Sequence, residues 1–135
     1  MMGCARYKEL FGLNVAVVGA SEDKDKFSNK AVRALHGCGY KVYPINPKEG
    51  VIEGINIHKR IEDIEENIDF ASVYLSADKV LDGGIIEKLK ERNVKGVILN
   101  PGTQDKILIE KLRKNGFKVL LECTIRSLGK DPDLL

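Results

Sequence analysis

The segment from Asn14 to Asn29, NVAVVGASEDKDKFSN, constrains the fold more than any other part of the chain. Val15–Val18 is a short apolar run rich in β-branched residues, which is typical of a strand buried on both faces of a sheet. Gly19 ends this run, and either residue of the pair Ser28–Asn29 can cap a helix that begins near Lys30. A strand, a glycine turn and a helix start in this order predict the first βα unit of a parallel sheet.

The loop between this strand and helix has the composition of a phosphate-binding site. Ser21 follows the glycine turn, and Lys24 and Lys26 add positive charge to the loop. Free backbone N–H groups and the positive end of a helix dipole both favour an anion at such a position. The loop is also longer and more basic than a plain connection requires. We therefore predict that it binds ligand phosphates, the alternative being an ordinary βα connection without a ligand.

Length and composition predict one soluble domain that covers residues 1–135. Of the 135 residues, 43% are hydrophobic and 31% are charged, and the net charge is +2. So small a net charge argues against nucleic acid or an anionic membrane as the main partner. The chain has no apolar stretch long enough to span a bilayer, and its charged beginning lacks the apolar segment of a signal peptide. We therefore expect a cytoplasmic protein.

The cysteines and histidines give little sign of a disulfide or a metal. Cys4, Cys38 and Cys123 are widely spaced and odd in number, which predicts neither a disulfide framework nor a CxxC site. Cys38 is expected on the apolar face of a helix, and Cys4 near a mobile terminus. His36 is expected to be solvated or to pair with the dipole of the last helical turn, and His58 to be a surface residue, so no structural metal site is predicted.

The rest of the chain alternates strands and helices. Further strands are predicted at residues 41–45, 55–57, 70–75, 96–99 and 118–121, and helices at residues 6–11, 30–38, 61–64, 76–92 and 104–115. Ser76 is the expected N-cap of the helix 76–92, and we attribute its central Gly83–Gly84 pair to close packing on the sheet. The tail at 131–135 is expected to be mobile.

This alternation predicts an α/β fold with right-handed crossovers between parallel strands. The specific prediction is a Rossmann-like, doubly wound, mainly parallel five-stranded sheet with strand order 3-2-1-4-5. Such sheets bind ligands at the carboxyl ends of the strands, near the point where the strand order reverses. Polar or turn sequences follow all five main strands, at Gly19–Ser21, Asn46–Lys48, Ser76–Asp78, Asn100–Gly102 and Cys123–Thr124. We therefore predict the ligand site at this edge.

The loop departs from the dinucleotide fingerprint Gly-x-Gly-x-x-Gly. Gly19 supplies the first glycine, but Ser21 and Lys24 stand at the second and third positions. The second strand ends in Asn46–Lys48, which lacks the carboxylate that would bind the 2′-hydroxyl of NAD. A lysine there suits an extra ribose phosphate, such as the 3′-phosphate of coenzyme A or the 2′-phosphate of NADP.

Three motifs together carry a family resemblance: VAVVGAS at 15–21, GYKVYPINPK at 39–48 and NPG at 100–102. The chain resembles the small stand-alone CoA-binding proteins, which are similar to the N-terminal CoA-binding domain of the succinyl-CoA synthetase α subunit. The resemblance extends from Leu13 to about Ser127. It implies the Rossmann-like fold already predicted and a binding site for coenzyme A.

The resemblance also implies roles for individual residues. Ser21–Lys24 would hold the CoA phosphates, and Lys48 would bind the adenosine-phosphate end. The segments Leu75–Ala77 and Leu99–Gly102 would line the nucleotide and pantetheine, and Cys123 matches the family's cysteine near the end of the last strand. The full set of predicted site residues is Gly19, Ala20, Ser21, Lys24, Lys26, Phe27, Asn46, Pro47, Lys48, Leu75, Ser76, Ala77, Leu99, Asn100, Pro101, Gly102 and Cys123. The acidic pair Glu22–Asp23 is a departure from the family pattern, and it offsets the charges of Lys24 and Lys26.

Three functions are open at this point. The first is a non-catalytic CoA or acyl-CoA binding protein, acting as a carrier, a sensor or a subunit, with a protein partner or self-association. It is favoured because we find no Ser-His-acid or Cys-His set, and because the chain ends before the histidine-bearing domain of the larger relatives. The second is a small NADP-dependent reductase or another nucleotide-binding protein. The third is a thiol enzyme or CoA-protecting protein that uses Cys123.

Overall fold

Strands and helices alternate along residues 2–135, the part of the chain that the computed structural model describes. In chain order the elements are α1 (Arg6–Leu10), β1 (Asn14–Val18), α2 (Phe27–Gly37), β2 (Lys41–Ile45), β3 (Gly50–Ile52), β4 (Ile55–Ile57), β5 (Phe70–Val73), α3 (Ala77–Asp82), α4 (Ile85–Glu91), β6 (Gly96–Leu99), α5 (Lys106–Lys114), β7 (Lys118–Leu121) and α6 (Thr124–Ser127), with 3-10 turns at Ile61–Asp63 and Pro132–Leu134. No helix within residues 2–135 is long and apolar enough to cross a membrane.

The main sheet is parallel and has the strand order β2-β1-β5-β6-β7. This confirms the predicted doubly wound α/β fold. Counted over the five strands of this sheet the order is 2-1-3-4-5, so the predicted order 3-2-1-4-5 is wrong. The strands β3 and β4 form a separate antiparallel pair, and a parallel bridge between Ile45 and His58 continues β4 along the outer side of β2.

Burial explains this strand order. All four residues of β5 are buried, as a central strand requires, so β5 lies beside β1. In β2, Lys41 is exposed and Tyr43 is only half-buried, which suits a strand at the side of the sheet. The strand order therefore reverses between β1 and β5.

Alternate residues of the strands point to two apolar layers on opposite faces of the sheet. One layer packs under α3, α4 and α5, and it includes Val18, Val73, Leu89, Leu99 and Leu108. The other packs under α1, α2 and α6, and it includes Tyr7, Val17, Leu35, Phe70 and Ile98. Helices therefore cover both faces, and the carboxyl ends of the strands remain open at one edge.

The helix α2 begins at Phe27, three residues before the predicted start. Its N-cap is Lys26, so the prediction that Ser28 or Asn29 caps the helix is wrong. Both residues are buried in the first turn instead, and the Asn29 amide donates a hydrogen bond of 2.8 Å to the carbonyl of Ser21. The first turn of α2 thus holds the loop that precedes it.

The predicted helix 76–92 is two helices. Ser76 caps α3 as predicted, because its hydroxyl accepts a hydrogen bond from the backbone N–H of Lys79. The helix then breaks at Gly83–Gly84, where Gly84 has a left-handed φ of +69°. Neither glycine is buried against the sheet, so our attribution of the pair to close packing is wrong. The break turns α4 relative to α3 and shapes the site described below.

The N-terminal segment is joined to α2 by a disulfide between Cys4 and Cys38, so the prediction of no disulfide is wrong. The segment lies on the α2 face of the sheet, where Tyr7 is fully buried and its ring lies 5.2 Å from that of Phe70. The hydroxyl of Tyr40 also donates a hydrogen bond to the carbonyl of Cys4. These contacts bring together two cysteines that are 34 residues apart in sequence.

The C-terminal tail is also packed against the domain. Pro132 is buried, and its carbonyl accepts a hydrogen bond of 2.8 Å from the ammonium group of Lys30 on α2. Leu135 packs against the same apolar layer as α2. The prediction of a mobile tail is therefore wrong, because apolar contacts that sequence position alone does not reveal hold it in place.

Candidate functional site

The reversal of strand order opens a crevice between the carboxyl ends of β1 and β5. Gly19 and Leu75 face each other across it, and Gly19 has a φ of +91°. A Cβ atom on Gly19 would lie 3.0 Å from Cδ2 of Leu75 and 3.2 Å from its backbone nitrogen. Both the backbone angle and this close approach therefore require glycine, as the sequence predicted for this turn.

The backbone N–H groups of the loop after β1 are only partly used. Those of Gly19 and Ala20 both donate to the carbonyl of Ile45, at 3.0 Å each, so they are not available to a ligand. Within residues 2–135, no protein acceptor faces the N–H groups of Ser21 and Glu22. Among the first four residues of this loop, the N–H groups that remain free for an anion are therefore those of Ser21 and Glu22.

A cavity of about 580 Å³ adjoins the crevice on the α3 and α4 side of the sheet, and we call it the large cavity. Its floor is apolar and is formed by Val18, Ile45, Ile61, Leu75 and Ile85. Its rim carries four cations and one carboxylate, which belong to Lys59, Arg60, Lys79, Lys88 and Glu62. Gly83, at the break between α3 and α4, completes one wall. The cavity therefore suits an apolar group that carries negative charge at its edge.

Two of the four cations at the rim are already paired. The ammonium group of Lys88 lies 2.6 Å from the Glu62 carboxylate, and the guanidinium of Arg60 lies 3.2 Å from that of Asp63. The hydrogen bond from Lys88 lowers the pKa of the Glu62 carboxyl, so Glu62 is charged at neutral pH. Lys59 and Lys79 have no ion-pair partner within residues 2–135 and remain available to an anionic ligand.

Arg92 fixes the segment that forms one side of the large cavity. Its guanidinium donates a hydrogen bond of 3.0 Å to the carbonyl of Ile61 and a second one to the carbonyl of Glu66. The ion pair between Lys88 and Glu62 joins the same segment to α4. Contacts with a helix thus hold the turn after β4 in place.

A second cavity of about 160 Å³, which we call the small cavity, lies beside the loop after β1. Its lining residues are Ala20, Ser21, Glu22, Asp23, Asn46 and Lys48. The Glu22 carboxylate accepts a hydrogen bond of 3.1 Å from the backbone N–H of Val51, and a Cβ atom on Gly50 would collide with it. With two carboxylates and one ammonium group, the charged side chains of the small cavity sum to a negative charge.

Asn46 lies between the two cavities and lines both. Its amide group donates a hydrogen bond of 2.8 Å to the carbonyl of Ala20. Its side-chain oxygen accepts a hydrogen bond of 2.8 Å from the backbone N–H of Lys48. The side chain is therefore fixed on both sides. Asn46 ties the end of β2 to the loop after β1 and forms a rigid wall between the cavities.

The structure brings together only part of the predicted site. The predicted residues that line a cavity are Gly19, Ala20, Ser21, Asn46, Pro47, Lys48 and Leu75. Those that line neither cavity are Lys24, Lys26, Phe27, Ser76, Ala77, Leu99, Asn100, Pro101, Gly102 and Cys123. Strand order explains much of this division, because β6 and β7 are separated from β1 by β5.

Asn100 is buried, and its side chain is occupied within the protein. Its amide group donates hydrogen bonds of 3.0 Å to the Ser72 hydroxyl and to the carbonyl of Val73. Its side-chain oxygen accepts a hydrogen bond of 2.8 Å from the backbone N–H of Thr124. The hydroxyls of Ser72 and Thr124 lie 2.8 Å apart and complete the network. Asn100 thus connects the end of β6 to β5 and to the start of α6. In the segment Leu99–Gly102, only Pro101 and Gly102 are exposed and accessible to a ligand.

Cys123 is half-buried at the N-cap of α6 and is the free cysteine of residues 2–135. The Tyr74 hydroxyl is buried near it and makes no hydrogen bond within the described part of the chain. Burial raises the pKa of Tyr74 well above its ordinary value, and negative charge on Cys123 raises it further. Tyr74 therefore stays neutral and can serve as a hydrogen-bond donor near the thiol.

The two histidines lie outside both cavities. His36 is exposed in the last turn of α2, at the end of the helix far from the loop after β1, as predicted. His58 is half-buried rather than solvated, because its backbone pairs with Pro44 and Asn46. Its ring lies 6.1 Å from that of Tyr43, and its buried Nδ1 atom has no hydrogen-bond partner in residues 2–135.

Sequence reasoning missed the four cations at the rim of the large cavity. The sequence did contain a signal for Lys59 and Arg60. They come shortly after the predicted extended segment Ile55–Ile57, just as the polar loop at Asn46 comes after β2, and residues that follow a strand lie near its carboxyl end. Lys79 and Lys88 lie on separate helices, and they approach the same cavity because the chain turns at Gly83–Gly84. No linear pattern in the sequence signals that turn.

The sequence of residues 14–128 matches the model of a family described as the CoA binding domain. The chain belongs to this family. Its ligand is therefore coenzyme A, as the resemblance implied. The match covers both cavities and every predicted site residue.

Relatives and solved structures agree with this assignment. The chain is 31% identical over 86 residues to an ADP-forming acetate–CoA ligase of Methanocaldococcus jannaschii. These residues make up 64% of this chain and 12% of the relative. A dinucleotide-forming acetyl-coenzyme A synthetase of Ca. Korarchaeum cryptofilum, solved with phosphate and ADP, is 30% identical with a TM-score of 0.72, over 86% of this chain and 27% of that one. A hypothetical protein of Pyrococcus horikoshii has the same fold, with 22% identity and a TM-score of 0.80 over 92% and 86% of the two chains. The chain thus spans about an eighth to a quarter of the length of the two CoA enzymes.

Proposed function

We propose that the protein binds coenzyme A or an acyl-CoA across the crevice between β1 and β5, as a non-catalytic carrier, sensor or CoA-delivering subunit. The observation that carries this proposal is the large cavity, which combines an apolar floor with a cationic rim at the reversal point of a CoA-family sheet. An adenine ring suits the floor, and a phosphate group of CoA suits the rim.

The order of the strands suggests how CoA lies along the edge. We place its adenosine in the large cavity and its pyrophosphate at Ser21–Lys24, where free N–H groups and the start of α2 favour an anion. Lys26 and Phe27 flank that position. The pantetheine arm then follows Leu75–Ala77 and the exposed pair Pro101–Gly102 towards Cys123. Three strand spacings of about 4.8 Å separate β1 from β7, a span of about 14 Å that an extended pantetheine arm covers.

The placement of the histidines supports a binding role without catalysis. A catalytic base must come within hydrogen-bond reach of its substrate. His36 is exposed at the far end of α2, and the ring of His58 packs near Tyr43 outside the lining of the large cavity. In a carrier or delivering subunit, a partner protein or a second copy of the chain would receive the ligand.

A small NADP-dependent reductase is the second candidate. The cations of the large cavity favour it as well, since the 2′-phosphate of NADP carries the same charge as the 3′-phosphate of CoA. The match to the CoA family favours the first proposal.

Calorimetric titration with CoA, acetyl-CoA, NADP⁺ and NADPH tests the two functions directly. We expect saturable one-site binding of CoA and acetyl-CoA, and at least ten-fold weaker binding of both dinucleotides. Tighter binding of NADPH than of CoA would replace the first proposal by the second. Mass spectrometry of the ligand that the purified protein retains is an independent measurement of the same choice.

A further inference from the structure

We propose that Lys59 and Lys79, at the rim of the large cavity, recognise the 3′-phosphate that distinguishes CoA from dephospho-CoA. This inference rests on the proposed function and replaces the sequence-based assignment of that phosphate to Lys48. It assigns ligand specificity to two residues outside the motifs that carry the family resemblance.

The charges of the two cavities differ in sign. The large cavity has four cations and one carboxylate, whereas the small cavity, where Lys48 lies, has two carboxylates and one ammonium group. A ribose phosphate carries close to two negative charges at neutral pH. The small cavity borders the loop Ser21–Lys24, where we place the pyrophosphate, so a third phosphate beside Glu22 and Asp23 would add to the negative charge already there, whereas the rim of the large cavity attracts it. Electrostatics therefore favours the large cavity for the 3′-phosphate.

Lys59 and Lys79 are the cations that can bind a phosphate without breaking an existing ion pair. Lys88 is engaged by Glu62 at 2.6 Å, and Arg60 is engaged by Asp63 at 3.2 Å. Within residues 2–135, Lys59 and Lys79 have no such partner. Both side chains are exposed at the rim, so a phosphate there replaces only water around them.

Two separate elements hold these lysines on either side of the cavity. Lys59 comes just before the 3-10 turn that Arg92 fixes through the carbonyl of Ile61. Lys79 lies in the first turn and a half of α3, where its own backbone N–H donates to the capping hydroxyl of Ser76. The backbones that carry the two ammonium groups are therefore fixed before a ligand arrives, as selective binding requires.

Lys48 lacks these advantages. Its side chain is exposed and shares the small cavity with Glu22, whose carboxylate is held in place by the backbone N–H of Val51. The nearby negative charge offsets the attraction of Lys48 for a phosphate. Lys48→Gln therefore serves as a matched control, since it removes the same charge from an exposed lysine on the other side of Asn46.

The experiment compares CoA with dephospho-CoA, which differ only in the 3′-phosphate, by calorimetric titration of three proteins. We expect the wild type to bind CoA about 10- to 100-fold more tightly than dephospho-CoA, the range of one charge-assisted contact. In the double variant Lys59→Gln/Lys79→Gln this ratio should fall to about 1–3, with the affinity for dephospho-CoA changed less than three-fold. The Lys48→Gln protein should keep the wild-type ratio.

The outcomes separate this inference from the proposed function. If Lys48→Gln loses the preference and the double variant keeps it, the 3′-phosphate lies in the small cavity and the inference is overturned. A wild type that binds both ligands equally also overturns the inference but leaves CoA binding intact. A wild type that binds neither ligand overturns both proposals. Far-UV circular dichroism and thermal unfolding check that the variants are folded, which we expect because all three lysines are exposed.

Discussion

Reduction of the disulfide between Cys4 and Cys38 is expected to lower the free energy of unfolding substantially. In the chain-entropy treatment, closing a loop of 34 residues removes about 12.6 cal/mol/K from the unfolded state, or about 3.8 kcal/mol at 25 °C. An unfolding entropy of about 2.1 cal/mol/K per residue gives about 0.28 kcal/mol/K for 135 residues. The melting temperature should therefore fall by about 13 °C.

The folded state itself should survive reduction. Tyr7 remains buried against Phe70, and the guanidinium of Arg6 keeps two hydrogen bonds of 2.6 and 2.9 Å to the Glu122 carboxylate. The backbone N–H of Gly3 also donates a hydrogen bond of 2.8 Å to the carbonyl of Ser127. The effect of the disulfide thus lies mainly in the entropy of the unfolded chain.

Thermal unfolding followed by circular dichroism, with and without a phosphine reductant, measures the shift. The variant Cys4→Ser/Cys38→Ser should melt like the reduced wild type under both conditions, and Cys123→Ser should respond to reduction as the wild type does. Maleimide labelling of the unreduced, denatured protein should modify Cys123 alone. Labelling of all three cysteines, or a shift below about 3 °C on reduction, would refute the reasoning.

Three further predictions concern the site and its surroundings. Gly19→Val should abolish the thermal stabilisation by CoA while the far-UV spectrum is retained, because a Cβ atom there meets Leu75 at 3.0 Å and φ is +91°; normal CoA binding by this variant would place the crevice elsewhere. Treatment with CoA disulfide should give a mixed disulfide at Cys123, mapped by peptide mass spectrometry and lost in Cys123→Ser; an adduct only at another cysteine would leave Cys123 as a packing residue. Burial raises the pKa of the Glu122 carboxyl, but hydrogen bonds from Arg6 and Tyr7 outweigh it, so the folded-state pKa is lowered. The resulting stabilisation is complete above the unfolded-state pKa of about 4.3 and is lost as the pH falls through the folded-state pKa. Glu122→Gln should therefore flatten the acid side of the curve of unfolding free energy against pH, measured by denaturant titration. An unchanged slope on the acid side would argue against this role of Glu122.

The sequence by itself predicted most of the local elements and the edge of the sheet at which both cavities lie. The strand at Val15–Val18 and the glycine turn after it are confirmed, because β-branched residues and a required positive φ are local properties. Alternation of strands and helices predicted a parallel, doubly wound sheet, and the carboxyl ends of its strands meet at one edge by geometry alone. Gly19, Asn46 and Leu75, which the sequence predicted at the site, line the large cavity at this edge.

The sequence could not determine which residues with the same chemistry line a cavity and which are buried in the fold. Asn100 follows its strand just as Asn46 does, and both side chains are hydrogen-bonded within the protein. Asn46 nevertheless lines both cavities, whereas Asn100 is buried among Ser72, Val73 and Thr124. The difference arises because β6 lies two strands away from β1, and the strand order depends on how completely each strand can be buried. An asparagine has the same hydrogen-bonding groups in both environments.

Only the tertiary structure decided which distant residues meet. The disulfide requires the N-terminal segment to pack on the α2 face, and the cationic rim requires the chain to turn at Gly83–Gly84 so that Lys79 and Lys88 approach Lys59. Neither arrangement has a local signature, because each depends on apolar surfaces far apart in sequence that become buried together. Local backbone preferences act between near neighbours and can be inferred from a short segment, whereas burial is a property of the whole fold.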